Sequence, residues 1–189
     1  MIDLPFDEED IENAHELSAK IGALPGSHTG GIGQPAGLLA EAVLCEFLGG
    51  TSTVDSNREF RSNFDFVAFD KRIEVKTKRR TCPPQPNYAG SIPTEQMDRQ
   101  AADFYAFVSI QFEQKENSSP KIYRIPKKIT WCAICDPRFF MTNAERFKPG
   151  DESGTAGYRQ SRDGYSLNYA RMGQPQDWLD HMRLARENK

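Results

Sequence analysis

The stretch from Asn63 to Arg80, NFDFVAFDKRIEVKTKRR, constrains this chain more than any other. Apolar and polar residues alternate in two runs around a short polar centre, which is the period of paired, half-buried strands. A turn at Asp70-Lys71, the polar pair between the runs, sets Phe69 opposite Arg72, Val67 opposite Glu74 and Asp65 opposite Lys76. One face then carries Phe64, Phe66, Ala68, Ile73 and Val75. The other carries Asp65, Val67, Phe69, Arg72, Glu74 and Lys76. A slip of one residue would bury the charges, so the faces are strongly specified.

The charged face has a chemistry. On this register Asp65 faces Lys76 and is the diagonal neighbour of Glu74, at roughly 5–8 Å. Two carboxylates so close repel each other unless positive charge lies between them. A hard divalent cation with oxygen ligands fits: Mg²⁺ takes one or two carboxylates and leaves its other positions to water and phosphate oxygens. The backbone carbonyl of Val75 supplies a further ligand. Lys76 is placed to orient or activate a water, or to stabilise a charged transition state. The same residues also suit a surface Asp–Lys–Glu salt-bridge cluster, which contributes little stability. Spacing alone leaves both readings open.

The rest of the chain sets the context. Residues 7–24 read as a helix with Ile11, Ala14, Leu17, Ile21 and Leu24 on one face and acids in the first turn. A second helix is expected from Pro35 to about Leu48, stopped by Gly49-Gly50, with Glu41 and Glu46 on different sides. A strand is expected near Thr51–Val54, ahead of the hairpin. TCPPQPNYAG reads as a proline-rich connection, and 94–102 as a short helix capped by Thr94. DFYAFVSIQF and KIYRIP read as strands, ITWCAICDPRFFM is open between strand and turn, and 148–164 suits a loop or small hairpin. PQDWLDHMRLAREN reads as a C-terminal helix. This order suggests one mixed α/β domain around a central sheet, with no repeats and no dividing linker.

Here the motif meets a family. Asp65, eight residues, then Glu74-Val75-Lys76 resembles the PD-(D/E)XK nuclease superfamily, the restriction-endonuclease-like fold. GLLAEAVLCEFLGG is similar to the helix that precedes the family's catalytic meander, with Glu41 at the place of its glutamate. TEQMDRQAADFYAFVSI is similar to the helix and apolar strand that follow the lysine. Gln96 is the better match, and Gln100 the second, to a glutamine that some branches carry there. Phe64 stands where the family has proline. The similarity covers roughly residues 33–126. It implies a mixed central sheet flanked by helices, with an N-terminal helix and loop over 1–32 and a C-terminal elaboration over 127–189. It also implies that Asp65 and Glu74 hold Mg²⁺, with Mn²⁺ as a substitute, that Lys76 assists the attacking water, and that Glu41 reaches the same site. The implied activity is metal-dependent hydrolysis of DNA phosphodiesters, in the manner of a restriction, homing, phage or mobile-element endonuclease. A junction-resolving or repair nuclease, and a non-cleaving DNA-binding module, share this core.

Charge distribution bears on partners. The net charge of -3 argues mildly against nucleic acid, but residues 71–80 hold six basic residues and one acid. A local basic surface can hold phosphates on an acidic protein, because screening confines the effect to about 8–10 Å. Lys78, Arg79 and Arg80 lead out of the second strand and are expected to hold DNA, duplex or branched, near the site. Lys121, Arg124, Lys127 and Lys128 form a second cluster that suits a solvated face. Tyr158, Tyr165, Tyr169 and Trp178, with Arg159, Arg162 and Arg171, suit either a DNA-facing surface or core and loop positions. A homodimer would suit double-strand cleavage, though no dimer helix is legible.

Several alternatives fail. GGIGQPAG lacks the G-K-[ST] ending and a preceding strand, so it reads as a flexible loop, and His28 within it as solvated. Cys132 and Cys135 are half a zinc site at most, and WCAIC reads as buried free cysteine. No run approaches roughly 18 apolar residues, so no membrane partner is expected. The acidic N-terminus lacks a signal peptide's features, and four cysteines do not suggest a disulfide scaffold, so a cytoplasmic location is expected.

Overall fold

The computed structural model describes residues 1–22, 33–53, 64–97, 101–113, 125–152 and 160–187. The elements are β1 (Ile2–Leu4), α1 (Glu8–Ile21), α2 (Gln34–Phe47), β2 (Thr51–Ser52), β3 (Phe66–Ala68), β4 (Lys71–Arg80), β5 (Ala89–Pro93), α3 (Thr94–Met97), β6 (Phe104–Phe112), β7 (Pro126–Cys135), α4 (Pro137–Asn143), β8 (Glu145–Phe147), β9 (Gly164–Asn168), a 3₁₀ turn (Tyr169–Arg171) and α5 (Pro175–Glu187).

Two sheets form. The larger has six strands in the order β1-β7-β6-β4-β3-β2, and the smaller has the order β5-β9-β8. In the larger sheet β4 and β6 are parallel and every other pair is antiparallel. The fold is therefore mixed α/β, with a curled mixed sheet flanked by helices. The parallel pair requires a crossover, which β5 and α3 supply. Asp103 and Arg72 clamp the start of that pair. Arg72 donates its backbone N–H, Nε and Nη2 to the Asp103 carboxylate at 2.8, 3.1 and 2.9 Å.

The two faces of the larger sheet carry different cores. Ile73 and Val75 of β4, with Ala106, Val108 and Ile110 of β6, pack with α2, α1 and α5. Tyr105 and Phe107 of β6 pack on the opposite side with Ile92, Phe140, Leu167 and Tyr169. The smaller sheet comes very close there. A Cβ on Gly90 would overlap the Phe107 ring. Gly90→Ala is thus expected to destabilise the fold by about 1–3 kcal/mol through overpacking. The melting temperature should fall by about 2–4 °C per kcal/mol; an unchanged melting temperature would contradict this packing.

Helix α2 starts and stops where expected, with Pro35 in its first turn and Gly49 at φ 58° just past its end. Its buried stripe is Ala36, Leu38, Leu39, Ala40, Val43, Leu44 and Cys45, while Ala42 and Phe47 lie exposed. Glu41 is half-buried and Glu46 exposed, so the two glutamates do fall on different sides. Helix α1 starts with a capping box between Asp7 and Asp10. Leu24 lies outside the described residues.

Several elements differ from the sequence expectation. β1 was not anticipated; Ile2–Leu4 adds an edge strand to β7, with Asp3 bonded to Thr130 and paired to Lys128. The connection TCPPQPNYAG ends in β5, because Ala89 and Gly90 join a ladder with β9. The helix from Thr94 is described only to Met97, and Ala101-Ala102 are not helical. ITWCAIC resolves as strand, with a bulge opposite Phe107–Val108 that turns Cys132 inward. Residues 121–124 of KIYRIP lie outside the described residues, and Pro126 begins β7. Gly150 and Gln160 close a hairpin-like pair, with Gly150 N–H donating to Gln160 at 2.9 Å.

The hairpin register is corrected. Phe66 pairs with Ile73, Val67 with Arg72 and Ala68 with Lys71, so the turn is Phe69-Asp70. Both turn residues have positive φ, 52° and 57°, as a two-residue turn matched to strand twist requires. Aspartate tolerates that conformation, whereas for phenylalanine it costs about 1–2 kcal/mol. The Phe69 ring offsets the cost by packing edge-on to Trp178, with centroids 5.8 Å apart. The slip is two residues, so the faces survive, and Phe66, Ala68, Ile73 and Val75 are buried as expected.

Candidate active site

The corrected register takes Asp65 out of its expected place opposite Lys76: it lies where β3 leaves β4, just past the Phe66–Ile73 pair. The Asp65 backbone N–H donates to Ile73 O at 2.9 Å, the last rung of the ladder. Its carboxylate then replaces the next rung: Val75 N–H donates to Asp65 Oδ2 at 2.7 Å. Thr53 fixes the backbone from the other side, its Oγ1 donating to Phe64 O and Asp65 O at 3.0 and 2.8 Å. Sequence reasoning missed this threonine, whose role depends on β2 lying beside the hairpin.

Strand geometry also aims the Val75 carbonyl. A residue's N–H and C=O point to the same edge of its strand. Since Val75 N–H meets Asp65, its carbonyl faces that edge too, not β6.

Glu74 and Lys76 project from the next face positions of β4. Lys76 Nζ lies 2.8 Å from Glu74 Oε1, and both side chains are nearly enclosed, at 11% and 13% exposure. Nζ also donates to Gln96 Oε1 at 3.0 Å, so α3 reaches the same point. Gln96 thus lies beside the lysine. Gln100 lies outside the described residues.

Glu41 arrives from α2 and feels the other charges. Burial, then the nearby Glu74 charge, pushes its carboxyl up to about 7, with Lys76 acting the other way. Asp65 is a half-buried residue whose carboxyl lies at its enclosed end. Burial, then Glu41 and Glu74, holds that carboxyl well above the usual carboxylate range, opposed by the Val75 N–H and Lys76. Three carboxylates from α2, the β3 approach and β4 therefore share one crowded, poorly solvated space with one lysine.

That donor set suits a hard cation. Among the described residues, no three Asp, Glu, His or Cys side chains close into a ready-made cage. Mg²⁺ does not need one, because it keeps several waters and binds through one or two carboxylates plus substrate oxygens. Mutual carboxylate repulsion in a buried place is the condition that an added cation relieves.

The residues beyond Lys76 divide by face. Alternation puts Lys78 and Arg80 with Glu74 and Lys76, and Arg79 on the opposite side. Lys78 is held down to about 8 by burial first, then by Arg80 and Arg162. Arg80 stacks over the Tyr88 ring, 4.6 Å from its centroid, and lies 3.4 Å from the Tyr169 hydroxyl.

Other candidates settle elsewhere. Lys127 and Lys128 pair with Glu113 and Asp3, as a solvated face would; Lys121 and Arg124 lie outside the described residues. Cys132 and Cys135 are free and buried in β7. Tyr169 and Trp178 are core residues, while Arg171 pairs with Glu145 and Arg162 with Glu95. His28, Tyr158 and Arg159 lie outside the described residues. Among the described residues no helix is long and apolar enough to cross a membrane. Comparison of the chain with family models, with curated proteins and with solved structures gives no match.

Proposed function

We propose that this chain is a metal-dependent DNA nuclease with a PD-(D/E)XK-type site on a restriction-endonuclease-like fold. The observation that carries the reading is the convergence of Glu41, Asp65, Glu74, Lys76 and Gln96 from four separate segments. A surface salt-bridge cluster on a hairpin would need neither the helix glutamate nor the glutamine. Nor would it enclose the lysine.

The residues divide the work. Asp65 and Glu74, with the Val75 carbonyl, would hold Mg²⁺ or Mn²⁺, and Glu41 would tune or extend that shell. When bound, the cation supplies a more acidic water and neutralises charge developing on the phosphate. Lys76, held by Glu74 and Gln96, orients the attacking water and stabilises negative charge on the phosphoryl oxygens. The Asp65–Val75 bond keeps one carboxylate oxygen fixed, so the cradle is organised before substrate arrives.

The test is a panel of duplex, single-stranded, nicked, flapped and four-way-junction DNA incubated with Mg²⁺, Mn²⁺ or a chelator. Cleavage of at least one member with either cation, and none with chelator, is expected. A protein that binds DNA in the presence of cation but releases no product would instead be the non-cleaving module on the same fold.

A further inference from the structure

The C-terminal third supplies no residue to the cluster around Lys76, yet it reaches that lysine through α3. This helix is a single turn, Thr94–Met97. One turn is too short to hold its shape or its place unaided, so its neighbours decide where Gln96 stands. Among those neighbours are Arg162 and Asp163, which lead into β9. The Asp163 carbonyl accepts the Thr94 N–H at 3.2 Å. Arg162 Nη1 donates to Glu95 Oε1 at 2.9 Å. Asp163 is itself fixed, because Arg146 of β8 donates to both its carboxylate oxygens at 3.2 and 2.6 Å. Just ahead of α3, Pro93 is laddered to Gly164. Two successive residues before β9 thus hold two successive residues of α3, and the next residue along is Gln96.

Gln96 matters because of the ammonium that it meets. Lysine carries three N–H donors on a long, flexible stem. Glu74 takes one donor of Lys76 at 2.8 Å, and Gln96 takes another at 3.0 Å. Two acceptors from separate elements fix where the third N–H points. With Glu74 alone, the ammonium would be free to swing about that carboxylate.

We propose that Arg162 is a positioning residue for Lys76: through Glu95 it holds α3, so that Gln96 keeps the third N–H of the lysine aimed at the attacked phosphate. This deepens the nuclease reading and rests on it. It also gives the second sheet a task, since β8 and β9 carry the anchor.

The experiment reads Lys76 directly, in the full chain without metal or DNA. Lysines are acetylated with a limiting dose of acetic anhydride and quantified one by one by mass spectrometry. The exposed Lys127 and Lys128 serve as references. In Arg162→Met, Lys76 should react about two- to fivefold faster, the range for an ion pair this open to solvent, and the references should not change. Glu95→Gln should act in the same way. Arg162→Lys, which keeps the charge, should return Lys76 toward the wild-type rate. With DNA and Mg²⁺, Arg162→Met should lower kcat by a similar factor and leave KM unchanged. Unchanged Lys76 reactivity in both Arg162→Met and Glu95→Gln would overturn the tether. So would an equal rise at every lysine, which marks general loosening, or a lysine variant as reactive as the methionine one. A rise in KM at constant kcat would make Arg162 a substrate contact instead. If Lys76 reactivity follows the variants but even the wild type cuts no DNA, the tether stands and the nuclease reading falls.

Discussion

Asp65→Asn should abolish cleavage and make the protein more stable at pH 8, while Lys76→Met should abolish cleavage and make it less stable. Asparagine keeps an oxygen to accept the Val75 N–H and removes the carboxyl whose ionisation burial, Glu41 and Glu74 oppose. Methionine removes the cation that offsets these carboxylates and leaves Glu74 without its 2.8 Å partner. Loss of one partner of an enclosed pair is costly because the other charge stays behind. In each variant turnover should drop by about 10²–10⁴-fold, the range for a lost acid–base or charge-stabilising group. Melting curves read beside cleavage rates test both halves. Wild-type turnover in Lys76→Met would remove the lysine from the chemistry. Stability changes of the same sign in the two variants would contradict the crowding of like charge.

The second large effect couples pH to metal. The Glu41 carboxyl sits at about 7 in the folded protein, against 4.5 as its ordinary value. A raised pKa means the folded state binds the proton more tightly than the unfolded one. That stability is therefore full below about pH 4.5 and is lost as pH rises to about 7. The shift corresponds to something on the order of 3 kcal/mol, and Asp65 acts in the same direction. A divalent cation should restore the loss, since it binds the ionised carboxylates of the folded state. At a hundredfold excess over Kd that is about 2.7 kcal/mol. Mg²⁺ should thus raise the melting temperature by several degrees at pH 8, about 2–4 °C per kcal/mol, and hardly at all at pH 5. In Asp65→Asn the increment should shrink at both. Equal increments at pH 5 and pH 8, or none at either, would contradict a carboxylate site.

How much of this was legible in the sequence depended on whether the information was local. The faces of the hairpin were legible because alternation is a property of each strand alone. The extent of α2 was legible from Pro35 and Gly49-Gly50. The register was not, because it is set by which two residues accept positive φ. The polar pair Asp70-Lys71 was the more ordinary choice than Phe69-Asp70, and only the Trp178 ring, more than a hundred positions away, explains the phenylalanine. β1 and β5 were missed because three to five residues with Pro, Gly or Asp carry no strong strand period; they become strands by joining β7 and β9. Glu41, Asp65, Glu74, Lys76 and Gln96 were found together through a motif.

β3 is three residues long and β4 is ten, so past Val75 the outer edge of β4 has no partner strand among the described residues. A bare edge is a template on which another chain, including a second copy, can add a strand and begin to aggregate. Past Val75 the strand carries Lys78, Arg79 and Arg80 in succession. Two such edges brought together would set three cations against three cations, alternating on both faces. The positive run that follows the lysine thus also serves as a guard. Charge repulsion between like runs turns away another copy of the same protein.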